Sequence, residues 1–66
     1  MVYKIAVDYE ECWKDNHLEY VPVYETFTDP DKANAFIQDY LDKTSYGVVG
    51  VRSITKDTIE LYFDIV

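Results

Sequence analysis

The sequence predicts an α+β fold in which one amphipathic helix packs on a four-stranded mixed sheet, in the order ββαββ. Three observations carry that expectation. Ala33, Phe36, Ile37, Tyr40 and Leu41 fall at the i, i+3, i+4, i+7, i+8 spacing of a single buried helical stripe. Residues 58–65 alternate Ile59, Leu61, Phe63 and Ile65 with Thr58, Glu60, Tyr62 and Asp64, the period of a half-buried strand. The first nine residues are rich in β-branched and aromatic side chains, the composition of a strand.

Taken in chain order, residues 2–9 form a first strand with Tyr3, Ile5 and Val7 on one face and Lys4, Ala6 and Asp8 on the other. Residues 10–18 lose the alternation and contain Asp15-Asn16, so they read as a long hairpin loop. A second strand covers 19–27, with Val21, Val23 and Phe27 inward and Tyr20 and Tyr24 outward. Pro22 has no amide hydrogen for a ladder, which makes this an edge strand. Thr28-Asp29-Pro30-Asp31 supplies a side-chain cap, a first-turn proline and acids at the positive helix start. Phe36 is the central anchor of the helix, and its truncation to alanine is expected to cost about 3–5 kcal/mol. Ser45-Tyr46-Gly47 links to a third strand at 48–54, whose pattern is divided: Val49 and Val51 indicate one inner face, Val48 and Ile54 the other. Gly50 reads as a bulge or packing site, and Lys56-Asp57 as the turn into the fourth strand.

Strands one and four are the most regular and proline demotes strand two, so the expected sheet order is 2-1-4-3, with the central pair parallel. The helix then serves as the crossover. That layout is β-grasp-like, and the opening Met1-Val2-Tyr3-Lys4-Ile5 resembles the first strand of the streptococcal immunoglobulin-binding domains, which share it. The resemblance covers one strand and implies the layout alone.

Sixty-six residues suffice for one domain with a thin core, spanning 1–66. The single cysteine, Cys12, excludes an internal disulfide, and small secreted domains usually need such staples, so a cytoplasmic setting is expected. The N-terminus reads as a strand, without the basic opening and apolar run of a signal peptide. Charge is the most informative global property. The net charge is −7, and all of it lies between Asp8 and Asp31, where Asp8, Glu10, Glu11, Asp15, Glu19, Glu25, Asp29 and Asp31 face one base, Lys14. Such a chain repels phosphate backbones and anionic membranes, which disfavours direct binding to either.

Chemistry-bearing residues are sparse. His17 is the only histidine, and it shares its predicted loop with Cys12. A nucleophile, a base and an orienting partner in a cleft are not in view, so no catalytic residue is expected and the chain is read as a non-enzyme. Glu10, Glu11, Cys12, Asp15 and His17 include zinc-ligand types, but their spacing matches no zinc pattern, and no metal or cofactor is expected. Trp13 either folds back over an open end of the core or stands exposed as an interface anchor.

Two functional expectations follow. In the first, a small acidic binding protein docks on a basic, nucleic-acid-handling partner through Glu10, Glu11, Asp15, Glu19 and Glu25, with Trp13 as anchor. In size and charge the chain resembles the acidic phage and mobile-element inhibitors, the anti-CRISPR and anti-restriction proteins among them, some of which stand in for nucleic acid. In the second, a self-associating structural module dimerises through Tyr20, Tyr24 and Tyr62, and the acids serve solubility alone.

Overall fold

Strand pairing in this chain is set by a parallel pair at the centre of the sheet, which forces the intervening elements to cross over one face. In the computed structural model, which describes residues 1–66, the elements are β1 (Val2–Lys14), β2 (His17–Phe27), α1 (Pro30–Lys43), β3 (Val48–Ile54) and β4 (Thr58–Asp64). They form one four-stranded sheet of order β2-β1-β4-β3. β1 is antiparallel to β2 and parallel to β4, and β3 is antiparallel to β4. The predicted α+β, β-grasp-like architecture is therefore the one observed. No helix is long and apolar enough to cross a membrane.

The helix forms where the capping residues place it. Asp29 is the N-cap, its Oδ1 accepting from the Asp31 amide at 2.9 Å, and Pro30 opens the first turn. Of the helical residues, Ala33, Phe36, Ile37, Tyr40 and Leu41 alone are withdrawn from solvent, as the spacing requires. Thr44 ends the helix, its hydroxyl donating to the Tyr40 carbonyl at 2.8 Å.

The region expected to be a long loop is instead the tip of a hairpin. β1 continues to Lys14 and β2 starts at His17, leaving only Asp15 and Asn16 in the turn. Their φ angles of 50° and 62° are those of a two-residue hairpin turn with both central residues left-handed, a conformation Asp and Asn tolerate better than most. Alternation was a poor guide here because this part of the hairpin leaves the sheet. β1 pairs with β4 only as far as Ala6↔Tyr62, and beyond that point β1 and β2 form a two-stranded arm with no core to face. The twelve steps of β1 at about 3.3 Å each give it a length of roughly 40 Å, nearly the full 41 Å of a molecule that measures 41 × 31 × 16 Å.

Two bulges decide which side chains face the helix. In β1 the register steps from Ala6↔Tyr24 to Asp8↔Val23, so Val7 is unpaired. Asp8, predicted on the outer face, is therefore moved to the helix side. In β3 the step from Val51↔Leu61 to Ser53↔Glu60 leaves Arg52 unpaired and returns Ile54 to the face of Val49 and Val51. The divided pattern of that strand has this cause: Val49, Val51 and Ile54 share the helix side, and only Val48 opposes them.

The core is thin. Ile5, Ala6 and Ala33 are the fully buried residues, and Ile5, at 0% exposure, is the one large side chain among them. Around it Phe27, Phe36, Tyr40 and Phe63 form a chain of rings, with centroids 5.3 Å apart for Phe27–Phe36, 5.8 Å for Phe36–Tyr40 and 4.2 Å for Tyr40–Phe63. The helix lies toward β2, and Val51 and Ile54 on β3 stay exposed. On the opposite face the Tyr62 ring lies across Gly50, where any Cβ would collide with it.

The central anchor is thus Ile5 and not Phe36, which is only half-buried. Ile5→Ala should cost about 2–5 kcal/mol, enough to unfold much of a domain this small. Phe36→Ala should cost about 2–3 kcal/mol. Urea denaturation of both variants checks the order; a larger loss for Phe36→Ala would contradict it.

Candidate functional site

The hairpin arm is the candidate site, because the bulge at Val7 sorts its side chains onto two unlike faces. Residues opposite one another in a ladder point to the same side. Phe27 meets the helix, so the odd-numbered residues of β2 mark the helix side, and their partners beyond the bulge are the even-numbered residues of β1. On that side lie Asp8, Glu10, Cys12 and Lys14 of β1 with His17, Glu19, Val21, Val23 and Glu25 of β2. On the open side lie Tyr9, Glu11 and Trp13 with Leu18, Tyr20, Pro22 and Tyr24.

The predicted acidic contact set is accordingly divided. Glu10, Glu19 and Glu25 share the helix side, and Asp8 joins them through the bulge. Glu11 and Trp13 face the other way, and Asp15 sits in the turn. Lys14, the one base in the stretch, stands 3.9 Å from Glu19, and the only other ion pair in the molecule, Lys43–Asp39, is on the helix. Asp8, Glu10 and Glu25 have no cationic partner.

The open face carries the aromatics. Trp13 is 68% exposed and Tyr20 61% exposed, with Tyr9 close behind, so Trp13 does not cap the core. The reason is distance: it lies one residue from the end of β1, far out on the arm. The tyrosines predicted as one dimer face also separate. Tyr20 belongs to the exposed stripe on the arm, whereas Tyr24 and Tyr62 are half-buried over the sheet. Lys4 Nζ sits 4.8 Å from the centroid of the Tyr24 ring, covering it further. Burial pushes the Tyr24 phenol above its ordinary pKa of 10.0, the Glu60 carboxylate raises it further, and Arg52 acts in the opposite direction.

Cys12 and His17 lie at neighbouring cross-strand positions on the helix side, with no hydrogen bond between them. No three His, Cys, Asp or Glu side chains are grouped to hold a metal ion.

One feature at the root of the arm was not foreseen from the sequence. A cavity of about 80 Å³ lies where β1 leaves the sheet, lined by Ala6, Val7, Asp8 and Tyr9 of β1 together with Tyr40, Tyr46 and Phe63. The Tyr40 hydroxyl donates to the Val7 carbonyl at 3.2 Å and holds the bulge against the helix. Tyr46, assigned to a linker, stacks at 6.2 Å from Tyr40 and 20° from parallel. The available signal was an aromatic residue placed two positions after the helix cap, where it can fold back on the last turn. Comparisons of the chain with protein-family models, with curated proteins and with solved structures find no match.

Tyr24 offers a test of this geometry. A phenol whose folded pKa is raised contributes stability that is complete below its unfolded pKa and is lost as pH rises through the folded value. Native-state stability should therefore fall above about pH 10, and Tyr24→Phe should remove that part of the decline together with one late step in the tyrosinate absorbance titration. An unchanged titration curve in Tyr24→Phe would show that this ring is not in the environment described.

Proposed function

We propose that the chain is a non-enzymatic binding protein that docks on a basic surface of a partner protein through the helix-side face of its hairpin arm. The observation that carries this reading is the alignment of Asp8, Glu10, Glu19 and Glu25 on one face, with Lys14 as the only base among them. Unpaired carboxylates of one sign accelerate encounter with a complementary surface and penalise wrong partners. Proteins that handle nucleic acid carry basic surfaces of this kind, and a carboxylate row can occupy them where phosphates would sit. The proposal extends to an inhibitor of such a protein, and it assigns the chain no catalysis and no direct contact with nucleic acid or membrane.

A second reading is favoured by the exposure of Trp13 and Tyr20 on the open face. There the chain pairs with a second copy through Tyr20, Trp13 and the adjoining Tyr24 and Tyr62, and the acids keep it soluble. The two readings differ in the face used and in the response to salt, since screening weakens an acidic contact and leaves an aromatic one unchanged or tighter.

The test uses the partner captured by the tagged chain and eluted across a salt gradient. Glu10→Lys with Glu25→Lys should weaken its binding by at least about tenfold, with the loss largest at low salt. Glu11→Lys on the opposite face should change it little. Asp15 is better neutralised as Asp15→Asn than reversed, because its φ of 50° favours Asn over Lys. Equal losses from both faces, or none, would contradict the proposal; salt-insensitive capture of the chain by itself would support the second reading.

A further inference from the structure

We propose that the cavity at the root of the arm binds the guanidinium of an arginine side chain presented by the basic partner; this rests on the reading that such a partner docks on the acidic face. The cavity opens beside Asp8, the first carboxylate of that face, and the next, Glu10, lies two residues further along β1. A segment lying along the arm would therefore pass its mouth.

The lining suits a planar cation. None of its residues is basic, and Asp8 is the one among them that carries a carboxylate. That carboxylate uses Oδ1 to accept from the Tyr9 amide at 2.8 Å, which leaves the second oxygen free. β1 has no β4 partner beyond Ala6, so the backbone edge at Val7–Tyr9 is not used by a ladder there. The Val7 carbonyl takes one hydrogen bond from Tyr40 and retains a second lone pair. These acceptors match the fan of donors on a guanidinium.

The rings match its flat face. Tyr46 lies 20° from parallel to Tyr40 and 32° from parallel to Phe63, with centroids 6.2 and 6.0 Å away. The near-parallel Tyr40–Tyr46 pair offers a stacking surface, on which a planar guanidinium lies flat while an ammonium makes only a point contact. One water needs about 10–15 Å³ of such space, so about 80 Å³ accommodates a guanidinium and not a bulky side chain. Tyr46 is 38% exposed and its ring can adjust as the cation enters.

Hexa-arginine and hexa-lysine peptides carry equal charge and separate this site from the acidic face as a whole. Titration of the intact chain should give an affinity about tenfold higher for hexa-arginine, with amide shifts at Val7–Tyr9 and Tyr46. Asp8→Asn keeps the acceptor for the Tyr9 amide and removes one carboxylate of the acidic face, so it should weaken both peptides but hexa-arginine the more. Tyr46→Ala removes the stacking surface from an exposed position and should leave hexa-lysine binding little changed. Each should bring the two affinities together. Circular dichroism establishes that the variants are folded, and Asp8→Asn stands alone if Tyr46→Ala is not. Equal affinities of the wild-type chain for the two peptides, or an arginine preference that survives both substitutions, would overturn the cavity assignment and leave the acidic face standing. Failure of both peptides to bind would overturn both.

Discussion

The unpaired residue Val7 is the constraint on which the rest of the molecule depends. Before it, β1 is a central strand with Ile5 under the helix and Ala6 beneath the tyrosines of the open face. After it, β1 is half of a free arm. A bulge twists and bends its strand and redirects every side chain that follows. Here the shift sends Asp8 and Glu10 to the helix side and Tyr9 and Trp13 to the other. Tyr40 fixes this irregular point by three interactions at once: its ring stacks on Phe63 at 4.2 Å, its hydroxyl binds the Val7 carbonyl, and its own carbonyl accepts from Thr44.

The arm that results separates most of its charge from its aromatic surface, with Glu11 the one carboxylate of its strands on the aromatic face. A two-stranded ribbon without a core is marginal in water unless cross-strand pairs or a partner support it. The arm has the tight Asp15-Asn16 turn, the weak Lys14–Glu19 pair and little else that is buried. Its acidic face is continuous with the cavity beside the helix, and its aromatic face is continuous with the tyrosine-covered sheet. Both edges of the ribbon are open past Ala6, but Pro22 and the glutamates of β2 blunt the outer one against indiscriminate strand pairing.

The elements that bury a face were legible in the sequence; the irregularities were not. The helix was readable residue by residue because Ala33, Phe36, Ile37, Tyr40 and Leu41 repeat at its period and Asp29-Pro30 marks its start. The 2-1-4-3 order followed from Pro22 and from the regularity of the first and last strands. Residues 10–14 were misread because alternation signals a buried face, and in the arm there is none. Ile54 looked out of phase because a bulge at Arg52 adds one residue, which no period can reveal. The same limit hid the cavity: Asp8 and Tyr46 are far apart in sequence and meet only because the bulge turns one toward the helix and the chain folds the other back upon it. Trp13 read first as a cap on the open end of the core and otherwise as an anchor, and the length of the arm decides for exposure.

The register at Val7 is therefore the most direct thing to measure. Cross-strand nuclear Overhauser contacts between β1 and β2 distinguish the two arrangements without any variant. The account predicts contacts for Ala6–Tyr24 and Asp8–Val23, with Val7 lacking a partner in β2. An unbroken ladder, with Val7 opposite Val23 and Asp8 opposite Pro22, would return Asp8 and Glu10 to the open face and contradict both the acidic face and the cavity beside it.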